Sequence, residues 1–403
     1  MEIRPILSSL RHHKTGTILV ALQIAVSLAV IANALSIINQ RVEKISRPTG
    51  IDVPNIIVAE VRGFRADYDS PAAITRDLDA LRALPGMLHA TVTSAVPLSG
   101  SGSSTGLRIE PDEDKPTVGT AVYRMEEDGI KTLGVNLERG RNFYTEEFTT
   151  HVPGENAAQT PASVIVTHAL AKELYPGEDP LGKPIYWGSL EPSTIVGIIE
   201  HMHGAWVGWS GFERNVIVPR RQAGKTARHM IRTEPGERDG LVPVIEAKLA
   251  ELDPNRVSRN VQTHTTIMNR AYEVDAVMAW ILVAVVGLLV GLTVLVTAGL
   301  ASYFVSQRTK QIGTRRALGA TRWNVVRYFM TENWIITTFG VVLSMLMTVA
   351  VSYVLETNFS LPHLPTRYIV ACVLGAWPIS LVASFLPARR AGMIPPAVAT
   401  RTV

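Results

Sequence analysis

Four apolar blocks stand out from an otherwise mixed pattern of hydrophobic and polar positions, running from about Thr15 to Ile38, Ala276 to Phe304, Trp334 to Leu355 and Tyr368 to Pro387. Each has at least about twenty residues without Asp, Glu, Lys or Arg, and at about 1.5 Å per helical residue that reaches about 30 Å, the thickness of a hydrocarbon core. The pattern predicts four membrane-spanning helices. Between the first and second blocks the periodicity changes. An apolar strand pattern at Asn55 to Val61 precedes a helical face of Ile74, Leu78, Leu81 and Leu84, then a second strand pattern at Ala90 to Val96. The same order recurs as Arg228 to Thr233, a helical face of Leu241, Ile245, Leu249 and Leu252, and Val257 to Thr263. Two β-α-β units are therefore expected around an insertion. The insertion follows the Gly- and Ser-rich turn Ser99 to Gly106 and carries short strand patterns such as Ser163 to Thr167 and Ser193 to Ile199. The expected fold is an α+β integral membrane protein: four transmembrane helices, and a large extracytoplasmic domain of two β-α-β units with an inserted, mostly β subdomain.

Basic residues orient the spans. Arg4, Arg11 and Lys14 precede the first, Arg308, Lys310, Arg315, Arg316, Arg322 and Arg327 lie between the second and third, and Arg389, Arg390 and Arg401 follow the fourth. Positive flanks belong in the cytoplasm. The resulting division is a cytoplasmic N-terminus (1–14), a first span (15–38), an extracytoplasmic domain (39–275, insertion about 107–220) and a second span (276–304). A cytoplasmic segment (305–333), a third span (334–355), a short outer loop (356–367, with Pro362 and Pro365), a fourth span (368–387) and a cytoplasmic tail (388–403) complete it. A cleaved signal peptide ending near Ala32-Asn33-Ala34 is the alternative for the first block, but its apolar run exceeds the usual signal core. The net charge of +4 is too small to imply nucleic acid as a partner. The one cysteine, Cys372, falls in the fourth span, so the outer domain must rely on its own core, which roughly 235 residues can supply.

Three stretches of the insertion, Gly134 to Phe148, Ser163 to Ile185 and Thr194 to His203, resemble the periplasmic core domain of MacB-type ABC transporter permeases. Arg308 to Val326 and Leu386 to Arg401 resemble the FtsX-like permease domain of the same superfamily. Gln311 stands where that family often has Glu, and Pro395 and Val398 replace acidic residues common in the tail. The resemblance implies a non-catalytic permease subunit in the bacterial inner membrane, with both termini cytoplasmic. Its implied partners are a cytoplasmic ABC ATPase dimer holding ATP and magnesium, a second permease copy or related permease, membrane lipid, and in some systems a periplasmic adaptor and an outer-membrane channel. It also implies export or extraction of a cargo by mechanotransmission. An FtsX-like signal transducer acting on an extracytoplasmic partner, and a simple membrane-anchored binding module, are the other classes.

The cytoplasmic segment supports a coupling role on its own chemistry. Gly319 can end a helix continuing from the second span, and Thr321 can cap a new, short surface helix beginning at Arg322. Trp323, Val326 and Phe329 or Met330 would form its apolar face while Arg322 and Arg327 stay hydrated. The candidate ATPase-coupling residues are Arg308, Lys310, Gln311, Gly313, Arg315, Arg316, Gly319, Thr321, Arg322, Trp323 and Val326. An interfacial loop resting on lipid headgroups would carry the same charges. Gly287 and Gly291, four apart, share one face of the second span and are candidates for close helix packing or a dimer seam.

Other chemistry is weak. Ala223 to Thr226 is a fragment of a phosphate-binding loop with Pro219 where the earlier Gly is required. The span interiors contain no ionisable group of the kind proton-coupled carriers use. Gln23, Ser27, Asn33, Thr293 and Thr297 read as helix-packing or backbone-bonding polar groups. Glu200, His201 and His203, near Trp206 and Trp209, lack a third ligand at regular spacing and read as a polar loop. His12 and His13 read as surface residues. No catalytic triad, cofactor site or metal site is expected on this chain.

Overall fold

The computed structural model describes residues 14–65, 68–112, 114–151, 159–188, 191–359 and 364–395. Arg4, Arg11, His12, His13, Pro362, Val398 and Arg401 lie outside the described residues. The chain divides into a helical unit, residues 1–46 with 275–403, and a sheet unit, residues 47–274.

Among the described residues the order opens with α1 (Lys14–Ile45) and enters the sheet unit through β1 (Ile56–Gly63), α2 (Ser70–Arg82) and β2 (Met87–Thr93). There follow β3 (Ser103–Leu107), β4 (Val118–Met125), α3 (Gly129–Leu133), β5 (Leu137–Gly140), β6 (Thr149–His151), β7 (Ser163–Thr167) and α4 (His168–Leu174). Next come β8 (Pro184–Tyr186), β9 (Pro192–Ile199), β10 (Asn215–Gln222), β11 (Thr226–Thr233), α5 (Arg238–Leu252), β12 (Arg256–Thr263) and α6 (His264–Ala271). The chain then continues through α7 (Glu273–Gln307), α8 (Thr309–Ala317), α9 (Arg322–Phe359) and α10 (Thr366–Gly392).

Alternation along β1 sorts its side chains onto two faces. Ile57, Ala59 and Val61 pack with Leu78 and Leu81 of α2 and Ile245 and Leu249 of α5, while Ile56 and Val58 join Tyr123, Met230 and Ile267 on the opposite face. The two β-α-β units share one sheet because β1 lies between β12 and β11, antiparallel to both, and β11 pairs with β2. The inserted strands continue that sheet in the order β2-β4-β10-β7-β9-β5. The join is narrow, since β2 meets β4 through the single pair Thr93–Met125. Beyond it, Leu170 and Leu174 of α4 cover Val164, Val166, Ile195 and Ile198 in a separate apolar cluster.

A fully buried ion cluster fixes α2 to the far strands. The Arg256 guanidinium donates to Asp77 at 2.6 Å, and His229 Nε2 lies 3.4 Å from the same carboxylate. Burial alone would raise the Asp77 pKa, but the His229 and Arg256 contacts outweigh it and hold the carboxyl below its ordinary range.

Among the described residues, four helices are long and apolar enough to cross a membrane: α1, α7, α9 and α10. α9 packs along both α1 and α10. Gly340 of α9 lies tight against α1, for a Cβ there would lie 2.9 Å from Ile24 Cβ and 3.0 Å from the Ala21 carbonyl oxygen. Polar groups tie α9 to α10: Asn333 Nδ2 donates to Ser380 Oγ at 2.7 Å and Ser384 Oγ at 3.1 Å, and Thr337 Oγ1 meets Ser380 Oγ at 2.5 Å. Gln23 of α1 donates to Thr293 of α7 at 3.3 Å, and Asn33 donates to its own helix at Ala29 O. Such bonds are worth roughly 0.6–2 kcal/mol each in a membrane and fix helix register.

Candidate functional site

The candidate site lies where α7 hands over to α8 and α9. Sequence reasoning expects one helix from the second span to Gly319, but the helix breaks at Arg308, whose φ of −108° and ψ of 16° leave the helical range. Thr309 Oγ1 bonds the freed Ser306 carbonyl at 2.9 Å. The break lets Arg308 Nη1 reach both carboxylate oxygens of Glu332 on α9, at 2.9 and 2.8 Å. Both side chains are buried, 8% and 4% exposed, so this pair is shielded from water and salt. The Arg308 guanidinium also sits 5.7 Å from the Phe304 ring centre.

α8 ends as its sequence suggests. Gly319 takes φ +98°, Ala320 N–H bonds Arg315 O at 3.0 Å and Gly319 N–H bonds Arg316 O at 3.1 Å, the reciprocal closure of a left-handed helix end. Two residues on, Thr321 Oγ1 accepts from Asn324 N–H at 3.2 Å and caps α9. The expected short surface helix is instead the first three turns of α9, which continues unbroken for 38 residues. No Gly or Pro occurs between Arg322 and Phe339 to stop it.

This continuity changes which side chains face outward. Val325, Val326 and Phe329 are buried with Ile312 of α8 and Ala388 and Ala391 of α10. Gly392 permits the approach of α10, since a Cβ there would lie 3.1 Å from Arg322 O and 3.2 Å from Val326 Cγ2. Val326 is thus a packing residue, contrary to its expected place on an outward apolar face. Arg308 and Gly313 are also buried, and Arg316, half-buried, donates to the Ile394 carbonyl. Lys310, Gln311, Arg315, Gly319, Thr321, Arg322 and Trp323 are exposed. Leu318 and Trp323 present the apolar surface, at 84% and 66% exposure. Between α8 and α9 lies a groove of about 230 Å³ lined by Gln311, Arg315, Ala320, Asn324 and Tyr328, with the Arg315 guanidinium 4.9 Å from the Tyr328 ring centre.

At the opposite end of α7, Asp275 is held by Lys44 of α1 at 2.6 Å and by Arg41. Gly287 and Gly291 lie on an exposed face of α7, and a Cβ at either would meet nothing within 4 Å. Ala223 to Thr226 occupies the connection from β10 to β11, so it opens no helix.

The four apolar helices and the appended mixed sheet are those of a multi-pass membrane protein. Residues 17–257 match the MacB-like periplasmic core domain and residues 281–396 the FtsX-like permease C-terminal domain. The chain belongs to this MacB-like, FtsX-like family of ABC transporter permeases. It is 25% identical over 401 residues to the macrolide export ATP-binding/permease protein MacB of Neisseria gonorrhoeae, covering 95% of this chain and 58% of that one. It is 26% identical over 329 residues to the probable export ATP-binding/permease protein MacB of Pseudomonas entomophila, covering 76% and 44%. The chain therefore spans a little over half the length of the first of these relatives. Among solved structures, the periplasmic region of MacB from Actinobacillus actinomycetemcomitans matches with a TM-score of 0.35 at 13% identity, over 55% of this chain and 94% of that one.

Proposed function

We propose that this chain is the membrane subunit through which a cytoplasmic ABC ATPase dimer, carrying ATP and magnesium, drives motion of an extracytoplasmic domain. The reading places the basic α8–α9 segment and both termini on the cytoplasmic side of the bacterial inner membrane, following the distribution of Lys and Arg. The observation that carries it is the construction of that segment. Exposed Lys310, Gln311, Leu318, Arg322 and Trp323 offer a mixed docking surface, while the buried Arg308–Glu332 pair and the Ile312, Val326, Phe329 and Ala391 cluster fasten it to α9 and α10. A push on the segment is then delivered to the spans rather than absorbed by a loose loop.

The relay has a second fixed point, because Arg41 and Lys44 clamp α1 to Asp275 of α7. α1 and α7 are also the two helices whose chain continues into the sheet unit, at residues 47 and 274. Movement of the pair would change the set of the sheet domain and expel or extract a cargo, the mechanotransmission reading. The unpartnered face with Gly287 and Gly291 suits close packing against a second permease copy, completing a dimeric complex. The test is reconstitution in lipid nanodiscs with the cognate ATPase. ATPase activity should depend on this subunit and fall with Trp323→Ala and Leu318→Asp, and equal activity in all three proteins would overturn the proposal. Vesicle transport of candidate cargo separates export from signalling to an outer partner.

A further inference from the structure

The loop from β9 to β10 carries a second cluster that the coupling role does not use. It brings together His201, His203 and Glu213, one ligand atom from each lying within 4.8 Å of the others. His201 Nε2 lies 2.5 Å from the Pro48 carbonyl oxygen, which can only accept, so that nitrogen carries the proton. The lone pair is then on Nδ1, which faces Glu213 Oε1 at 3.8 Å. A backbone carbonyl fixing the tautomer of a histidine is the usual outer support of a metal ligand.

His203 supplies the independent observation. It is 1% exposed, and neither of its ring nitrogens has a hydrogen-bond partner. Edge-on packing against Phe212, 4.9 Å between centroids, and against His201, 5.1 Å, accounts for the ring but leaves both nitrogens unsatisfied. A buried, unpaired imidazole costs free energy unless something fills its lone pair.

The loop holding these groups is stapled in place. Asn215 Nδ2 donates to Met202 O at 2.7 Å and Phe212 O at 3.3 Å, and Gly204 N–H donates to Phe212 O at 2.6 Å. Those bonds close the loop between the histidines and Glu213. We infer that His201, His203 and Glu213 form a binding site for a divalent transition-metal ion of the zinc class, with an open position toward solvent. Two imidazoles and a carboxylate are borderline ligands that favour zinc over magnesium or calcium. Ligands about 2.0–2.2 Å from one ion lie about 3.3–3.5 Å apart, so the cluster needs to tighten by only about an ångström. The side chains of His201 and Glu213, 30% and 41% exposed, have room to do so.

The site would also fasten the segment by which the chain enters the sheet unit. His203 N–H donates to Thr49 O at 2.9 Å, His201 bonds Pro48, and a Cβ at Gly50 would lie 2.1 Å from the His201 carbonyl oxygen. Metal binding therefore tightens residues 47–51 against the β9–β10 loop.

The test uses the full chain in detergent, its affinity tag removed and its metal stripped, titrated with zinc ions alone against a chromophoric chelator. One zinc per chain is expected, with slower amide exchange at residues 47–51 and 200–214 on loading. His203→Gln and Glu213→Gln should each weaken binding more than about tenfold, while His168→Gln, at the surface His168–Glu138 pair, leaves it unchanged. If His203→Gln fails to fold, Glu213→Gln, at a partly exposed position, decides alone. Zinc uptake no greater in the wild type than in Glu213→Gln, or loading without exchange protection, overturns the assignment.

Discussion

Removing the Arg308 guanidinium would leave the Glu332 carboxylate buried without the cation that bonds both its oxygens. Both groups are less than a tenth exposed, and the same arginine nitrogen bonds both carboxylate oxygens at 2.8–2.9 Å. Breaking such a buried pair from one side costs about 3–5 kcal/mol, most of it the penalty of the stranded charge. Arg308→Met and Glu332→Leu should therefore each destabilise the helical unit by about that amount. The double variant strands nothing and replaces the pair with apolar groups, so its cost should be no more than about 1 kcal/mol. Two single costs of about 3–5 kcal/mol against a double cost of about 1 kcal/mol put the coupling energy from the cycle at about 5 kcal/mol or more, beyond the range of an exposed pair. Reversible unfolding in bicelles, measured at low and at 0.5 M salt, gives the four stabilities. Because the pair is shielded, the coupling should barely change with salt. Single variants costing under about 1 kcal/mol, or a double variant costing their sum, would refute the view of Arg308–Glu332 as a rigid fastening.

Val326→Ala should destabilise the helical unit by roughly 1–2 kcal/mol, from the methyl groups lost in the Ile312, Phe329 and Ala391 cluster, whereas Trp323→Ala should leave thermal unfolding unchanged and weaken binding to the ATPase, as read by calorimetry. Gly340→Leu places a side chain where Ile24 and the Ala21 carbonyl already sit and should cost about 1–3 kcal/mol or more, seen as lost α1–α9 cysteine cross-linking. Glu126 is buried, and that burial pushes its pKa up to about 7, against an ordinary value of 4.5. The folded state then holds a proton that the unfolded state has released between about pH 4.5 and 7, so this group's contribution to stability falls as pH rises through that window. The stability of Glu126→Gln relative to wild type should rise by on the order of 2–3 kcal/mol between pH 4.5 and 7.5, and a flat difference in a pH series of amide exchange on the sheet unit would contradict it. Arg256→Met leaves Asp77 buried beside His229 and should cost about 3–5 kcal/mol in the same exchange experiment.

Local chemistry explains what was legible in the sequence. Ile74, Leu78 and Leu81 repeat at helical spacing because α2 has one covered side, and all three are buried. Gly319 and Thr321 act through neighbours within five residues, so the turn they build could be read directly. The break at Arg308 had no such signal, because the carboxylate it brings Arg308 to lies 24 residues onward on another helix. The same holds for Asp275, whose partners lie 231 and 234 residues earlier. Val326 was assigned to the wrong side because a short helix lying on a surface and the start of a long one carry the same periodicity. Only the packing of Ala388 and Ala391 decides which face is covered. The His201 and His203 pair was visible, but Glu213 joins it only because the loop folds back through Asn215.

The central claim, that work entering at the α8–α9 segment moves the sheet domain, is tested most directly by a pulsed-dipolar distance between spin labels at Ser306 and Glu251. Both positions are exposed, one on the helical unit and one on the sheet unit, and Cys372 is replaced by Ala. In nanodiscs with the ATPase, trapping with ATP and vanadate should shift the distance distribution from its nucleotide-free position, and Trp323→Ala should abolish the shift. The same distribution in both nucleotide states, with ATP demonstrably hydrolysed, would contradict the account.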